Sequence, residues 1–506
     1  MSKPTTRLAY YAFAVFVSSA ILLVLEIVAG RLIAPYVGAS LYTWTSIIGV
    51  ILAGLSLGNW LGGVLADRGA GPATAGWALA LSGLAALAIL GLLTLVAPLL
   101  QESRLGLLSS SFLYVATLFF VPALGLGVIT PLLTTLALGL DRRTGHVVGR
   151  MHALAALGSI VGTFATGYWL VQYLGTRAIV IGSGVVLLLL ALPLFEGRRW
   201  SRGAAVVAAG VLLLAAAAWR DGLASPCDRE SQYFCIRVFD EPEIAPWGTA
   251  RSLVLDHLAH GINHREDPRL LVSHYVHLID ELLEARFAGR PQRAYFFAGG
   301  GAYTLPRALR AADPQARMLV AELDPAVTAT VQRELFVDTA AFEVRHDDAR
   351  VVLGHEPAGS FDAVVSDVFH DLSVPYHMLT REYFALARSR LKPGGMLLLN
   401  VIDRWPEGRL IATVLRTLEQ DFAHREVWLE APLEGGMRHT FVIAASDAPL
   451  PQGSIQARSG LPRRWRPVSV LLHERYAQAD AAVRLSDDWV PVERLLAPVL
   501  VGEMGR

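Results

Sequence analysis

Seven long apolar stretches crowd the chain before Trp219, and their length and spacing suit a lipid solvent rather than a soluble core. They run approximately Leu8–Ile33, Leu41–Ala66, Ala73–Leu99, Phe112–Leu138, Val147–Val171, Ala178–Phe195 and Ala204–Trp219. A bilayer core of about 30 Å takes roughly 20 apolar residues at about 1.5 Å each. All seven stretches meet that length or approach it, and the seventh is the shortest. Lys3 and Arg7 precede the first stretch, which is longer than a signal-peptide core and has no A-x-A-like cleavage site; it reads as a spanning helix. Charged residues make up 17% of the 506-residue chain, against about 25% in soluble domains. The shortfall lies before Trp219. The expected architecture is an α-helical transmembrane bundle over 1–222, followed by soluble structure.

Polar groups inside the stretches are the candidates for intramembrane function. Glu26 is the most costly, because a carboxylate at depth must be protonated or paired. Asn59, His152 and Gln172 accompany it. Each has two readings, a hydrogen bond between helices or a proton or substrate site. The fifth stretch is rich in small residues (Gly149, Ala153, Ala156, Gly158, Gly162, Ala165, Gly167), which permit close helix packing. The run Gly62–Gly69 resembles part of the loop motif of major facilitator transporters.

Flanking charges suggest an orientation. Lys3, Arg7, Arg68, Arg142, Arg143, Arg150, Arg198, Arg199 and Arg202 fall on one face, and Arg31, Arg104, Arg177 and Arg220 on the other. The positive-inside rule puts the N-terminus in the cytoplasm. Seven crossings then leave the C-terminal half outside, and six return it to the cytoplasm. Cys227 and Cys235 sit just beyond the seventh stretch. A disulfide in an oxidising compartment and two reduced thiols are both open to them.

After Trp219 the pattern changes to short strands and amphipathic helices. Tyr233–Val238 and Arg251–Leu255 read as a β-hairpin lead-in over 223–265. Residues 266–445 then alternate, with strands at Arg293–Ala298, Met318–Ala321, Glu343–Arg345, Ala363–Ser366 and Met396–Val401 and a helix over Leu271–Phe287. Such alternation predicts a mostly parallel, Rossmann-like sheet with helices on both faces. Residues 446–506 form a C-terminal extension whose acidic-aromatic cluster Leu485–Glu493 has two readings, a return to line the amine site or, the favoured one, a solvated surface segment.

Three features place a ligand at the carboxyl ends of these strands. Gly299, Gly300 and Gly301 let backbone approach it closely ahead of a helix N-terminus. Glu322 ends the next strand about 20 residues on, where an acid meets ribose hydroxyls. Asp348 and Ala349 follow the third strand, where a carboxylate can meet an adenine amino group. Asp367 and Asp371 follow the fourth strand, suited to a cationic substrate and to accepting a proton from an attacking amine. Net charge is zero and no basic stripe occurs, so nucleic acid is not an expected partner. No metal site is expected.

These pieces resemble the spermidine synthase (aminopropyltransferase) family over 230–445, and the whole chain resembles its membrane-fused bacterial branch. The resemblance rests on Leu255-Asp256, Tyr275, the glycine triplet, Glu322-Leu323-Asp324-Pro325, Asp348-Ala349-Arg350, Phe361–Asp367, Leu379–Phe384 and Leu391–Gly395. It implies that decarboxylated S-adenosylmethionine, or S-adenosylmethionine itself, is the co-substrate, with Glu322 on the ribose, Asp348 on the adenine and Asp367 as catalytic base. Tyr275 and His260 are carried over as ligand-binding residues. It also implies methylthioadenosine as product, a polyamine as acceptor, and the inner membrane of a bacterium as location, with a homo-oligomer open.

The departures concern the acceptor. The family's aspartate after the glycine triplet is Ala302, Asp371 follows Asp367 by four residues instead of three, and His260 replaces a glutamine. Transfer to an external amine and cyclisation of the donor by its own amine are therefore both expected outcomes. Binding without chemistry, in a transporter or sensor, is the alternative.

Overall fold

The computed structural model describes residues 4–500 apart from 104, 142, 196–199, 243–247, 370–373, 432–437 and 477–483. Asp371 lies outside the described residues, as do Lys3, Arg104, Arg142, Arg198 and Arg199. Two compact units divide between Cys235 and Ile236.

The first unit is the helical bundle. It comprises α1 (Pro4–Val37), α2 (Leu41–Asp67), α3 (Pro72–Gln101), α4 (Leu107–Leu138) and α5 (Thr144–Ala165). A π-helical turn at Thr166–Leu170 carries α5 into α6 (Val171–Leu174); α7 (Thr176–Ala191), α8 (Trp200–Trp219) and the short strand β1 (Arg229–Glu230) follow. Six helices are long and apolar enough to cross a membrane, counting Thr144–Leu174 as one, and Gly203–Trp219 is a shorter apolar helix.

Glycines set the helix contacts. A Cβ on Gly58 of α2 would stand 2.1 Å from the Leu124 carbonyl oxygen of α4, and one on Gly62 would stand 2.7 Å from that of Val128. On α5, Gly158 and Gly162 lie equally close to the Phe16 and Ala20 carbonyls of α1, at 2.1 and 2.3 Å. The contacts advance together along both chains, so α1 and α5 run in the same direction. With no hydrophobic drive between helices in lipid, such backbone approach carries the association. Gly149 and Gly167 of the same small-residue set meet nothing within 4 Å.

The segment after α8 is tied to one end of this bundle. Arg31, near the C-terminal end of α1, donates to the carbonyls of Tyr233 and of Ser231, the latter at 2.6 Å. Glu230 accepts the Thr176 backbone N–H at 2.8 Å, at the start of α7, and Arg177 donates to the Gly222 carbonyl. The C-terminal end of α8 therefore lies at the end of the bundle opposite the N-terminus, so α8 runs its depth. Cys227 and Cys235 form a disulfide in this segment. Glu26 is half-buried, whereas Asn59, His152 and Gln172 are exposed. No hydrogen bond joins any of the four among the described residues.

The second unit opens with an antiparallel meander of β2 (Cys235–Asp240), β3 (Ala250–Leu255) and β4 (Leu258–His264). After α9 (His274–Phe287) the chain alternates through β5 (Ala294–Ala298), α10 (Thr304–Ala312), β6 (Arg317–Ala321), α11 (Pro325–Glu334) and β7 (Glu343–Arg345). It continues with α12 (Ala349–His355), β8 (Phe361–Ser366), α13 (Arg381–Arg390), β9 (Leu391–Arg404) and α14 (Arg409–Leu418). The remainder is β10 (His424–Glu430), β11 (Arg438–Ser446), β12 (Ile455–Gln456), β13 (Arg464–Pro467), α15 (Ser469–Tyr476) and α16 (Val492–Leu500).

Nine strands form one sheet in the order β12-β13-β10-β11-β9-β8-β5-β6-β7. β7, β6, β5, β8 and β9 are parallel and the rest antiparallel. Every residue of β5 and β8 is buried, as parallel strands covered on both faces require. The expected Rossmann-like domain is present. The antiparallel strands β10 and β11 were not anticipated, and residues 455–467 add two more strands to the same sheet. The strand order reverses between β5 and β8, and a ligand crevice belongs outside the carboxyl ends at such a switch point.

Candidate functional site

The glycine turn lies at that switch point. Gly299 has φ +87, and a Cβ there would stand 2.3 Å from the Asp367 carbonyl oxygen. Only glycine tolerates both the conformation and the approach. Ala302 and Tyr303 close the turn, and Tyr303 itself has φ +55. Its buried ring packs beneath the loop and its hydroxyl meets that of Thr328 at 2.8 Å.

Glu322 stands where the sequence puts it, immediately beyond β6, and is 6% exposed. Its Oε2 accepts the N–H groups of Gly300 and Gly301 at 2.9 and 3.3 Å, and its Oε1 accepts that of Asp324 at 2.9 Å. Each carboxylate oxygen has two lone pairs, so Oε1 keeps capacity for a ligand hydroxyl. Burial pushes the Glu322 carboxyl up, against the pull of these donors.

Asp348 is the N-cap of α12, its Oδ1 accepting from the N–H groups of Arg350 and Val351 at 2.9 and 3.2 Å. Its Oδ2 pairs with His377 Nε2 at 2.8 Å, which holds the carboxyl below its ordinary value. Ala349 is buried behind it.

Asp367 follows β8. Its Oδ1 accepts the Asn400 side-chain amide at 2.8 Å, and the Tyr275 hydroxyl donates to the same carboxylate. Only part of the residue's surface reaches solvent, and burial raises the carboxyl above its ordinary value while the two donors oppose the rise. Burial and the neighbouring Asp367 push the Tyr275 phenol well up. It is a proton donor, not a base. His260 lies on β4 with its carbonyl accepting the Ala302 N–H at 3.2 Å, and its Nδ1 meets the Leu258 carbonyl at 2.9 Å. Burial lowers the His260 imidazole.

The fold thus brings Gly299, Gly300, Gly301, Glu322 and Asp367 to the carboxyl ends of β5, β6 and β8, with His260 and Tyr275 hydrogen-bonded to Ala302 and Asp367, and Asp348 and Ala349 at the start of α12. Glu26, Asn59 and His152 belong to the other unit. Asn400 and His377 escaped the sequence reading. Asn400 sits in the expected strand Met396–Val401, but its partner depends on which strand lies beside β9. In the tail cluster Asp487, Asp488 and Trp489 are exposed, as a surface segment would have them, but Leu485 is fully buried and Asp487 forms a two-pronged pair with Arg350 at 2.7 Å. The segment docks because Leu485 has an apolar seat and Asp487 a fixed guanidinium.

No family model matches the chain. A probable polyamine aminopropyl transferase of Bifidobacterium longum is 25% identical over 216 residues, covering 39% of this chain and 47% of that protein. The chain therefore spans about half the length of that relative. The polyamine aminopropyltransferase of Vibrio vulnificus is 24% identical over 236 residues, covering 46% of this chain and 75% of that protein. Among solved structures, a probable spermidine synthase from Corynebacterium glutamicum aligns with TM-score 0.44 and 21% identity, over 51% of this chain and 95% of its own. Spermidine synthase from Thermotoga maritima aligns with TM-score 0.33 and 16% identity, over 42% and 69%. By sequence, the α/β half of the chain is similar to polyamine aminopropyltransferases, which supports the spermidine synthase family as its kin.

Proposed function

We propose that this chain is a membrane-held transferase that cleaves an adenosyl sulfonium of the decarboxylated S-adenosylmethionine type and releases methylthioadenosine. The observation that carries the reading is Asp367, raised by burial and gripped by Tyr275 and Asn400, beside a glycine turn at the switch point. Glu322 would take the ribose through the free capacity of Oε1. Asp348 would meet the adenine amino group through the remaining lone pair of Oδ2, beside His377.

The sulfonium is its own activated leaving group, so the protein's task is positioning and proton transfer. An amine lone pair attacks the methylene next to sulfur. The new C–N bond forms as the C–S bond breaks, and that electron pair leaves on neutral methylthioadenosine. Asp367 takes the ammonium proton. The acceptor is an external amine or the donor's own amine. Incubating the purified chain with donor alone separates them: methylthioadenosine without added amine supports cyclisation, and strict dependence on an amine rules it out. Absence of methylthioadenosine under both conditions sinks the enzymatic reading.

One observation favours binding without turnover. The Cys227–Cys235 disulfide belongs to an oxidising compartment, where such a co-substrate is scarce. Under that reading Glu26→Gln impairs transport or signalling and leaves ligand binding by the α/β half unchanged.

A further inference from the structure

Asp348 is held by a closed circuit of hydrogen bonds that leads out to the C-terminal tail. The Arg350 backbone N–H donates to Asp348 Oδ1 at 2.9 Å, and the Arg350 guanidinium donates to the His377 carbonyl at 3.0 Å. The His377 imidazole completes the circuit, its Nε2 standing 2.8 Å from Asp348 Oδ2. An ionised carboxylate only accepts, so Nε2 carries the proton. Oδ1 also accepts the Val351 N–H at 3.2 Å, which uses both of its lone pairs. One acceptor position is left on Oδ2, and the circuit fixes its direction.

Arg350 is the member of the circuit that needs a hold of its own, because a long side chain loses much rotamer freedom when it is fixed. The hold comes from Asp487 in the tail, 137 residues away, whose two oxygens take Nη1 and Nη2 at 2.7 Å each. A two-pronged pair sets the plane of the guanidinium as well as its position. The same guanidinium draws the Asp487 carboxyl below its ordinary value.

The seat of the tail has further supports. Leu485 is fully buried, its N–H donates to Thr417 Oγ1 at 3.1 Å, and its carbonyl accepts the Arg381 N–H at 3.0 Å. The Asp487 backbone N–H donates to Glu382 at 3.0 Å. These contacts remain when the Asp487 carboxylate is removed, and a half-exposed ion pair adds little stability. The consequence of that carboxylate lies in the guanidinium it orients.

We propose that Asp487 is a positioning residue for base recognition, acting through Arg350 and His377 on Asp348, and that the tail is thereby part of the adenosyl site. The proposal rests on the adenosyl-site reading above, in which Asp348 takes the amino group of adenine. A fixed acceptor takes an N–H of a 6-amino purine and repels the carbonyl lone pairs of a 6-oxo purine. Such discrimination requires an acceptor that cannot turn away.

The test is calorimetry on the full chain in detergent, comparing methylthioadenosine with its 6-oxo analogue, methylthioinosine. Only folded protein binds, so the ratio of the two affinities does not depend on how much of a variant folds. The wild type should prefer the amino form by about tenfold or more. Asp487→Asn should cut that preference by about threefold or more, and in a His377→Leu background it should change the ratio no further. A ratio that Asp487→Asn leaves unchanged, with or without earlier melting, overturns the proposal. So does an equal loss in the presence and absence of His377. A wild-type chain that binds both nucleosides equally overturns the proposal and leaves the adenosyl site standing. One that binds neither removes the adenosyl-site reading as well.

Discussion

Asp367 is a carboxylate whose surroundings pull in two directions, and its chemistry follows from the balance. Burial raises it, while Tyr275 and Asn400 stabilise the charged form. A base must be deprotonated to act, so turnover is lost as pH falls through this raised value. Asn400→Leu removes a donor to the charged form. The acid limb of its pH–rate profile should move to higher pH, and an unmoved limb would detach Asn400 from the base. Asp367→Asn should lower turnover by about a hundredfold or more while adenosyl-ligand affinity stays within about threefold. Equal loss of binding would make Asp367 a structural residue. At this scale the sequence was legible for residues that end strands, because their spacing follows the βα repeat. It was silent on Asn400 and His377, whose partners lie 33 and 29 residues away and depend on strand order and loop path.

Elements were legible where apolar periodicity was strong. The spanning helices and β5 to β9 emerged close to expectation. Strands β10 and β11 did not, because His424, Arg425, Glu426, Arg438 and His439 dilute the apolar signal of antiparallel strands near a sheet edge. The fifth stretch drew attention for its small residues, yet Gly58 and Gly62 on α2 also bring backbone into close contact with α4. Gly58→Leu has no room beside the Leu124 carbonyl and should lower the melting temperature in detergent, by an amount reflecting about 2 kcal/mol or more. Gly63→Leu, where a Cβ meets nothing within 4 Å, is the matched control. Similar melting of the two variants would remove the glycine contact as the cause. In the α/β half, Gly299→Ala should weaken methylthioadenosine binding and melt earlier, since φ +87 and the Asp367 carbonyl both exclude a Cβ.

For the whole molecule, the sequence left the count of crossings open, and the geometry of the bundle bears on it. Arg31, Thr176 and Arg177 hold the segment 222–233 at the end opposite the N-terminus. Charge counting puts that end outside. A C-terminal alkaline phosphatase fusion should therefore be active, and an active cytoplasmic reporter at the same position would reverse the orientation. The likeness of the α/β half to the aminopropyltransferases was legible because its motifs sit on consecutive strand ends. Its acceptor was not, because Ala302 and the spacing of Asp367 and Asp371 depart from the family's pattern on that side of the site.

The central claim is methylthioadenosine release at Asp367. It is tested by incubating purified wild-type and Asp367→Asn chains with S-adenosylmethionine and, separately, its decarboxylated form, each with and without amine, and quantifying methylthioadenosine by chromatography. Release by the wild type and its loss in the variant, with ligand still bound, is the predicted result. A wild-type chain that binds the nucleoside and releases none would contradict the account.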